Sequence, residues 1–391
     1  MKTKLYRLLS IVLAMAMLVS LGVSHADDAG KYYPSFTNMT DAKAAAVALT
    51  TELAAEGDVL LKNDGALPLR RGAWVSVFGV TSDSLTGASD SAGAWSGSSE
   101  GGDTLAAALE SVGYKVNPTL KQVYANDSSK IGNEITDFSG TVESSLRTYG
   151  DAAFIVLSRE GGEGGDASTV TAANGNVELA VPGEHLALAV NAEGQEIKHS
   201  MMLTDSEIAM IDYVKAHFSQ VIVILNTSNA MEVGVLQNDD GITAIIDIGR
   251  PGVGGLAALA QIIDGTVNPS GAMIDEWMAD QTTDPTWYNF GSNKQNNREG
   301  YAGSNTYMGS ESGTSTQYDS QGYHGVDYEE GIYLGYKYYE TRYFDMYNNA
   351  ATDEEREAAQ QWWVSSNSNP SLSIVFMFPP CPFRMTNLRA P

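Results

Sequence analysis

Ala152-Ala153-Phe154-Ile155-Val156-Leu157, followed directly by Ser158-Arg159-Glu160-Gly161-Gly162-Glu163-Gly164-Gly165-Asp166, is the stretch on which the fold turns. Six apolar residues with no alternation predict a strand buried on both faces, as in a parallel sheet covered by helices on each side. The loop after it places two glutamates, an aspartate and an arginine among glycines at the carboxyl end of that strand. In open α/β sheets ligands collect outside the carboxyl ends of the strands. Glycines let the backbone come close to a ligand and adopt positive φ at little steric cost. A glutamate on such a loop is a candidate general acid, although a solvated turn would carry the same residues.

Outward from this stretch the same alternation repeats. Val59 to Lys62, Val75 to Phe78, Tyr114 to Val116, Val221 to Leu225 and Ile242 to Ile248 read as strands. Between them lie helical patterns: Thr40-Asp41 as a cap leading to about Glu56, Thr104 to Ser111, Leu146 to Tyr149, Asp205 to Phe218, and Leu256 to Asp264. Thr204-Asp205-Ser206-Glu207 has the form of a capping box. Strands alternating with helices predict a three-layer α/β/α sandwich with a mostly parallel central sheet. Gly252-Val253-Gly254-Gly255 precedes a helix, but its spacing is wrong for Gly-x-Gly-x-x-Gly, so no nucleotide is expected there.

The flanks have another character. Lys2, Lys4 and Arg7 precede an apolar run, Leu8 to Val23, and the small-x-small site Ser24-His25-Ala26. Residues 1–26 therefore read as a secretory signal peptide, with a retained membrane anchor as the alternative, and the chain is expected to be secreted or held at the cell surface. Residues 281–325, rich in Asn, Ser, Gly, Thr and Tyr, read as long surface loops. From about Ala358 the composition, including Trp362-Trp363 and Phe376-Met377-Phe378-Pro379-Pro380-Cys381, fits neither a packed strand nor a regular helix.

The 391 residues carry 23 basic and 48 acidic side chains, a formal net charge of −25. Such a surface repels nucleic acid and leaves uncharged ligands, sugars among them, unaffected. One cysteine, Cys381, excludes an internal disulfide. The five histidines show no metal-ligand spacing, and His217 fits the negative pole of its helix. No metal or cofactor is expected.

Five segments, in order, resemble the α/β-sandwich domain of glycoside hydrolase family 3, the β-glucosidase and β-xylosidase family. They are Ala55 to Leu69 (through Leu60-Leu61-Lys62-Asn63-Asp64-Gly65), Ser158 to Asp166, Asn226-Thr227-Ser228-Asn229-Ala230-Met231-Glu232, Gly265 to Gly271 (with Asn268-Pro269-Ser270-Gly271), and Tyr328 to Thr341. The resemblance covers roughly residues 40–345 and places the domain at 27–345. It implies a retaining mechanism with two carboxylates about 5–5.5 Å apart. One is an aspartate nucleophile on a (β/α)₈ barrel, and the other is an acid/base on the sandwich loop, here matched by Glu163.

Arg159 and Glu160 beside it would position the acid or touch sugar hydroxyls, or simply pair with each other and stiffen the loop. Asp166 is expected to stabilise the loop. Trp95, in the polar loop Thr81 to Gly102, is placed to stack on a sugar ring or to pack ordinarily. The implied ligand is a β-linked oligosaccharide or glycoside, and the implied partner is a barrel domain in cis or in trans. No segment resembles that barrel, which needs about 250 residues. Residues 346–391 lack the family's usual continuation and read as a tail that is out of frame or truncated. A second reading is a carbohydrate-binding or structural module without hydrolysis.

Overall fold

The computed structural model describes residues 36, 38–83, 85, 104–129, 131–159, 189–190, 196–197, 201–227, 229–274, 276–279, 281, 284–285 and 330–366. The proposed signal peptide, Trp95, Glu160, Glu163, Asp166 and nearly all of 281–325 lie outside them. The chain divides into two units, Met1–Leu49 and Thr50–Pro391, and the sheet with both its cores belongs to the second.

Helix α1 (Met39–Gly57) begins one residue before the expected cap, because the Asn38 side chain accepts the amide of Asp41 at 2.9 Å. Strands β1 (Val59–Asn63) and β2 (Trp74–Phe78) precede α2 (Leu105–Ser111), β3 (Lys115–Val116), α3 (Pro118–Ala125), α4 (Thr141–Thr148) and β4 (Ala152–Ser158). A short antiparallel pair, β5 (Ala189–Val190) and β6 (Glu196–Ile197), follows. Then come α5 (Asp205–His217), β7 (Val221–Asn226), α6 (Gly234–Gln237), β8 (Ala244–Asp247) and α7 (Gly255–Ile263).

The six-stranded sheet runs β1-β8-β7-β4-β2-β3, parallel throughout except for edge strand β1, which lies antiparallel to β8. Strand β4 is buried along its whole length, as its unbroken apolar run requires. Its residues divide by parity. Ala152, Phe154 and Val156 face one core with Leu105, Leu109, Leu256 and Leu259 from α2 and α7. Ala153, Ile155 and Leu157 face the other with Leu120 of α3, Leu146 of α4, and Met210 and Val214 of α5. The sheet is thus the middle of three layers, as the alternating pattern predicts.

The connectivity has one reversal. From β2 the chain moves outward to β3, then returns to lay β4 on the opposite side of β2. The helices that follow β2 and β4, α2 and α5, pack on opposite faces of the sheet, so the chain leaves these adjacent strand ends for different sides, which is the position where such sheets open a crevice. Gly79, immediately after β2, has φ +116° there, and a Cβ would sit 2.4 Å from the Val156 carbonyl of β4. Gly79→Ala is expected to lower stability by roughly 2–3 kcal/mol through backbone strain and this clash. A urea unfolding curve at unchanged m-value measures it, and an unshifted midpoint would contradict the close approach.

Besides the four-residue α6, two helical features depart from the sequence reading. Helix α3 was not expected, although its signals are local: Asn117 caps it by accepting the amides of Thr119 and Leu120, and Pro118 occupies its first turn. Beyond Ala358 the expectation of neither strand nor helix fails as far as Ser366. Helices α8 (Tyr336–Asn349) and α9 (Asp353–Ser366) form a pair, with Tyr339 stacked on Trp362 at 5.9 Å and Tyr343 against Trp363 at 5.2 Å. The Arg342 guanidinium lies 5.2 Å from the Trp362 ring centre, a cation–π contact. Reciprocal bonds between Thr352 and Glu355 cap α9. Among the described residues no helix is long and apolar enough to cross a membrane.

Candidate functional site

The carboxyl ends of β2, β4 and β7 are tied together by a row of buried side chains. Ser158, the last residue of β4, donates to Asn226 Oδ1 at the end of β7 (3.2 Å), which leaves Thr81 as the donor in its 2.8 Å bond to the Ser158 hydroxyl. The Asn226 amide nitrogen in turn donates to the Gly249 carbonyl beyond β8 at 2.7 Å. Thr81, Ser158 and Asn226 are all buried. Buried polar groups are costly unless paired, and this chain pairs each with its neighbour across four strand ends.

Arg159 begins the loop that leads to Glu163. It is only 6% exposed, and its guanidinium grips Glu207 bidentately, Nη1 to Oε1 at 2.7 Å and Nη2 to Oε2 at 2.8 Å. The same two nitrogens donate to the carbonyls of Ser158 and Met202. Glu207 is the third residue of α5 and completes the expected capping box, accepting the Thr204 amide at 2.8 Å. A single carboxylate therefore caps a helix and neutralises the arginine at the root of the loop. The sequence reading gave Arg159 either the acid, a sugar or Glu160 as its neighbour. The structure adds a partner that the sequence reading did not name, Glu207, 48 residues away. Glu160, Glu163 and Trp95 fall outside the described residues.

A second carboxylate stands behind this pair. Glu134 is buried, its Oε2 accepts the Val80 amide at 2.9 Å, and its own amide donates to Ser206 Oγ at 2.9 Å. Burial pushes its carboxyl up to about 7; the nearby Glu207 and Asp127 add to the rise, while the Val80 amide and Arg159 oppose it. Ser206 and Thr204 both donate to the Gly132 carbonyl, so residues 132–134 form a strap from the end of β2 to the start of α5. The sequence reading missed Glu134, and no local pattern marks it.

At the β1 edge of the sheet, the register sets Val59 opposite Asp247, so Asp58 and the end of β8 share the carboxyl edge. Asp58 is 3% exposed, and among the described residues its Oδ2 has no hydrogen-bond partner. Burial, with the Asp247 charge added, pushes its carboxyl up to about 8; burial pushes Asp247 up to about 6 against the Gly249 amide. Among the described residues no three His, Cys, Asp or Glu side chains are gathered as metal ligands.

The sequence model of the glycosyl hydrolase family 3 C-terminal domain matches residues 58–336. The chain belongs to glycosyl hydrolase family 3. β-Glucosidase A of Butyrivibrio fibrisolvens is 28% identical to this family 3 chain over 310 residues, 75% of the chain and 32% of that protein. A Ruminococcus albus β-glucosidase is 25% identical over 299 residues, 74% of the chain and 26% of that protein. The family 3 chain thus spans about a third or less of the length of these relatives. The structure of β-glucosidase 3B from Thermotoga neapolitana in complex with α-D-glucose superposes with a TM-score of 0.51 at 23% identity. That match covers 77% of this chain and 36% of the other and shows a shared fold, the α/β sandwich expected from the sequence.

Proposed function

We propose that this chain carries the acid/base of a β-glucosidase-like retaining hydrolase acting on terminal β-linked glucosides or xylosides. The observation that supports this most is the family match over 58–336, on a fold whose reversal point sits where the Glu163 loop departs. In this reading Glu163 protonates the leaving oxygen and later activates water, the paired nucleophile comes from a (β/α)₈ barrel in cis or in trans, and Arg159 positions the loop. Glu160 and Trp95 line the sugar side. Residues 1–26 export the chain to the surface or beyond.

The test is hydrolysis of an aryl β-glucoside and an aryl β-xyloside by the chain, alone and joined to a family 3 barrel. The chain alone is expected to be inactive, because half a carboxylate pair forms no covalent intermediate. With the barrel present, Glu163→Gln is expected to reduce kcat by about 10²–10⁴-fold for a poor leaving group. Turnover by the chain alone, or turnover indifferent to Glu163→Gln, would overturn the proposal. Sugar binding without turnover in either arrangement would make the chain a carbohydrate-binding module.

A further inference from the structure

We propose that Glu134 is a positioning residue that couples the loop after β2 to the loop after β4 and changes the charge at their common root by one unit. The inference deepens the acid/base reading above and rests on it for its functional meaning. Its physical basis is independent of any sugar.

The geometry is that of a hub. Through Oε2, Glu134 holds the Val80 amide, one residue before Thr81, whose hydroxyl is bonded to Ser158. Through its backbone it holds Ser206, one residue before Glu207, the partner of Arg159. Both loops are therefore anchored to one residue, by a side-chain path and a backbone path that end on consecutive residues, Ser158 and Arg159. The charged and titratable groups around it are Glu207 on α5, Asp127 and Tyr124 at the end of α3, and Arg159 at the end of β4. Tyr124 is buried, and burial pushes its phenol up, so it stays neutral.

Arg159 and Glu207 cancel each other. Ionisation of Glu134 therefore makes the charge at this root more negative by one unit. In the acid/base reading, a carboxylic acid at Glu163, four positions further on in the sequence, would hold its proton more tightly when that added charge is present. An ionised Glu134 also strengthens the Val80 bond, since a charge-assisted hydrogen bond is about twice as strong as a neutral one. The burial and the neighbouring carboxylates place this change near neutrality.

The experiment follows the backbone amide resonances of Val80 and Arg159 in the chain from pH 5 to pH 9, in the native protein, Glu134→Gln and Glu134→Ala. Both amides are expected to titrate together in the native protein with one midpoint near 7. Glu134→Gln keeps an acceptor for Val80, so it should stay folded while both curves flatten. Glu134→Ala should flatten both and release the Val80 amide to faster hydrogen exchange. A curve at Val80 without one at Arg159, a flat native profile, or a step that survives Glu134→Gln would each overturn the coupling. None of these outcomes depends on hydrolysis, so failure of the acid/base reading would show separately, as Glu163-independent turnover.

Discussion

Arg159→Met is expected to destabilise the protein by about 3–5 kcal/mol, because it strands a buried carboxylate. Glu207 is 1% exposed and has Arg159 on both its oxygens, with the Thr204 amide as a further donor to Oε2. Methionine approximates the volume of the arginine stem but offers no donor, so the buried Glu207 carboxylate is left with the Thr204 amide and without its countercharge. Glu207→Gln should cost less, since the amide oxygen still accepts one guanidinium bond and the Thr204 amide. Arg159→Lys is not conservative here: an ammonium cannot hold both carboxylate oxygens and two carbonyls in one plane. The double replacement Arg159→Met with Glu207→Leu removes both charges and should recover part of the loss, as buried pairs exchanged for apolar groups often do. Urea unfolding of the native protein, Arg159→Met, Glu207→Leu and the double variant gives the cycle. Additive single and double effects would show that the two side chains do not act as a pair.

What the sequence displayed of this arrangement, and what it hid, follows from the range of each interaction. The unbroken apolar runs at 152–157 and 221–225 announced β4 and β7, because burial on both faces leaves a mark in consecutive residues. Thr204 and Glu207 announced a helix start, since a capping box closes within four residues. That Glu207 also neutralises Arg159 was not legible, because it depends on β4 and α5 meeting across 48 positions. The antiparallel setting of β1 was equally silent: an edge strand paired to β8 in either direction has the same apolar pattern. Glu134 sits in a segment without helix or strand, where neither period gives a hint that a carboxylate is buried. The α9 helix was readable in Thr352-Asp353-Glu354-Glu355, but the unusual composition around Trp362 drew the reading away from it.

Replacement of Asp58 by asparagine is expected to stabilise the protein at pH 8 by roughly 2–4 kcal/mol and to change little at pH 4. Asp58 joins α1 to β1, where chain geometry buries it at 3% exposure with Oδ2 unbonded among the described residues and Asp247 nearby. Its carboxyl is pushed up to about 8 from an ordinary 3.8. In the unfolded chain the group ionises as pH passes about 4, whereas in the folded protein it holds its proton to about 8. Between those values the native state binds more protons, so stability falls as pH rises and levels off beyond the folded value. Four such units would amount to about 5 kcal/mol, and relaxation around a buried charge reduces that figure. Asparagine keeps the shape without the charge and removes this slope. Asp247, pushed up only to about 6 and bonded to the Gly249 amide, should give a smaller gain when changed to asparagine. Unfolding free energies of native and Asp58→Asn proteins, measured from pH 4 to pH 9, should therefore diverge up to about pH 8 and hold their separation above it. Parallel curves would mean that Asp58 meets water or a donor in the folded protein and carries its charge at neutral pH. The buried Glu134 contributes a slope of the same sign between about pH 4.5 and 7, so the Asp58→Asn profile should flatten without becoming level.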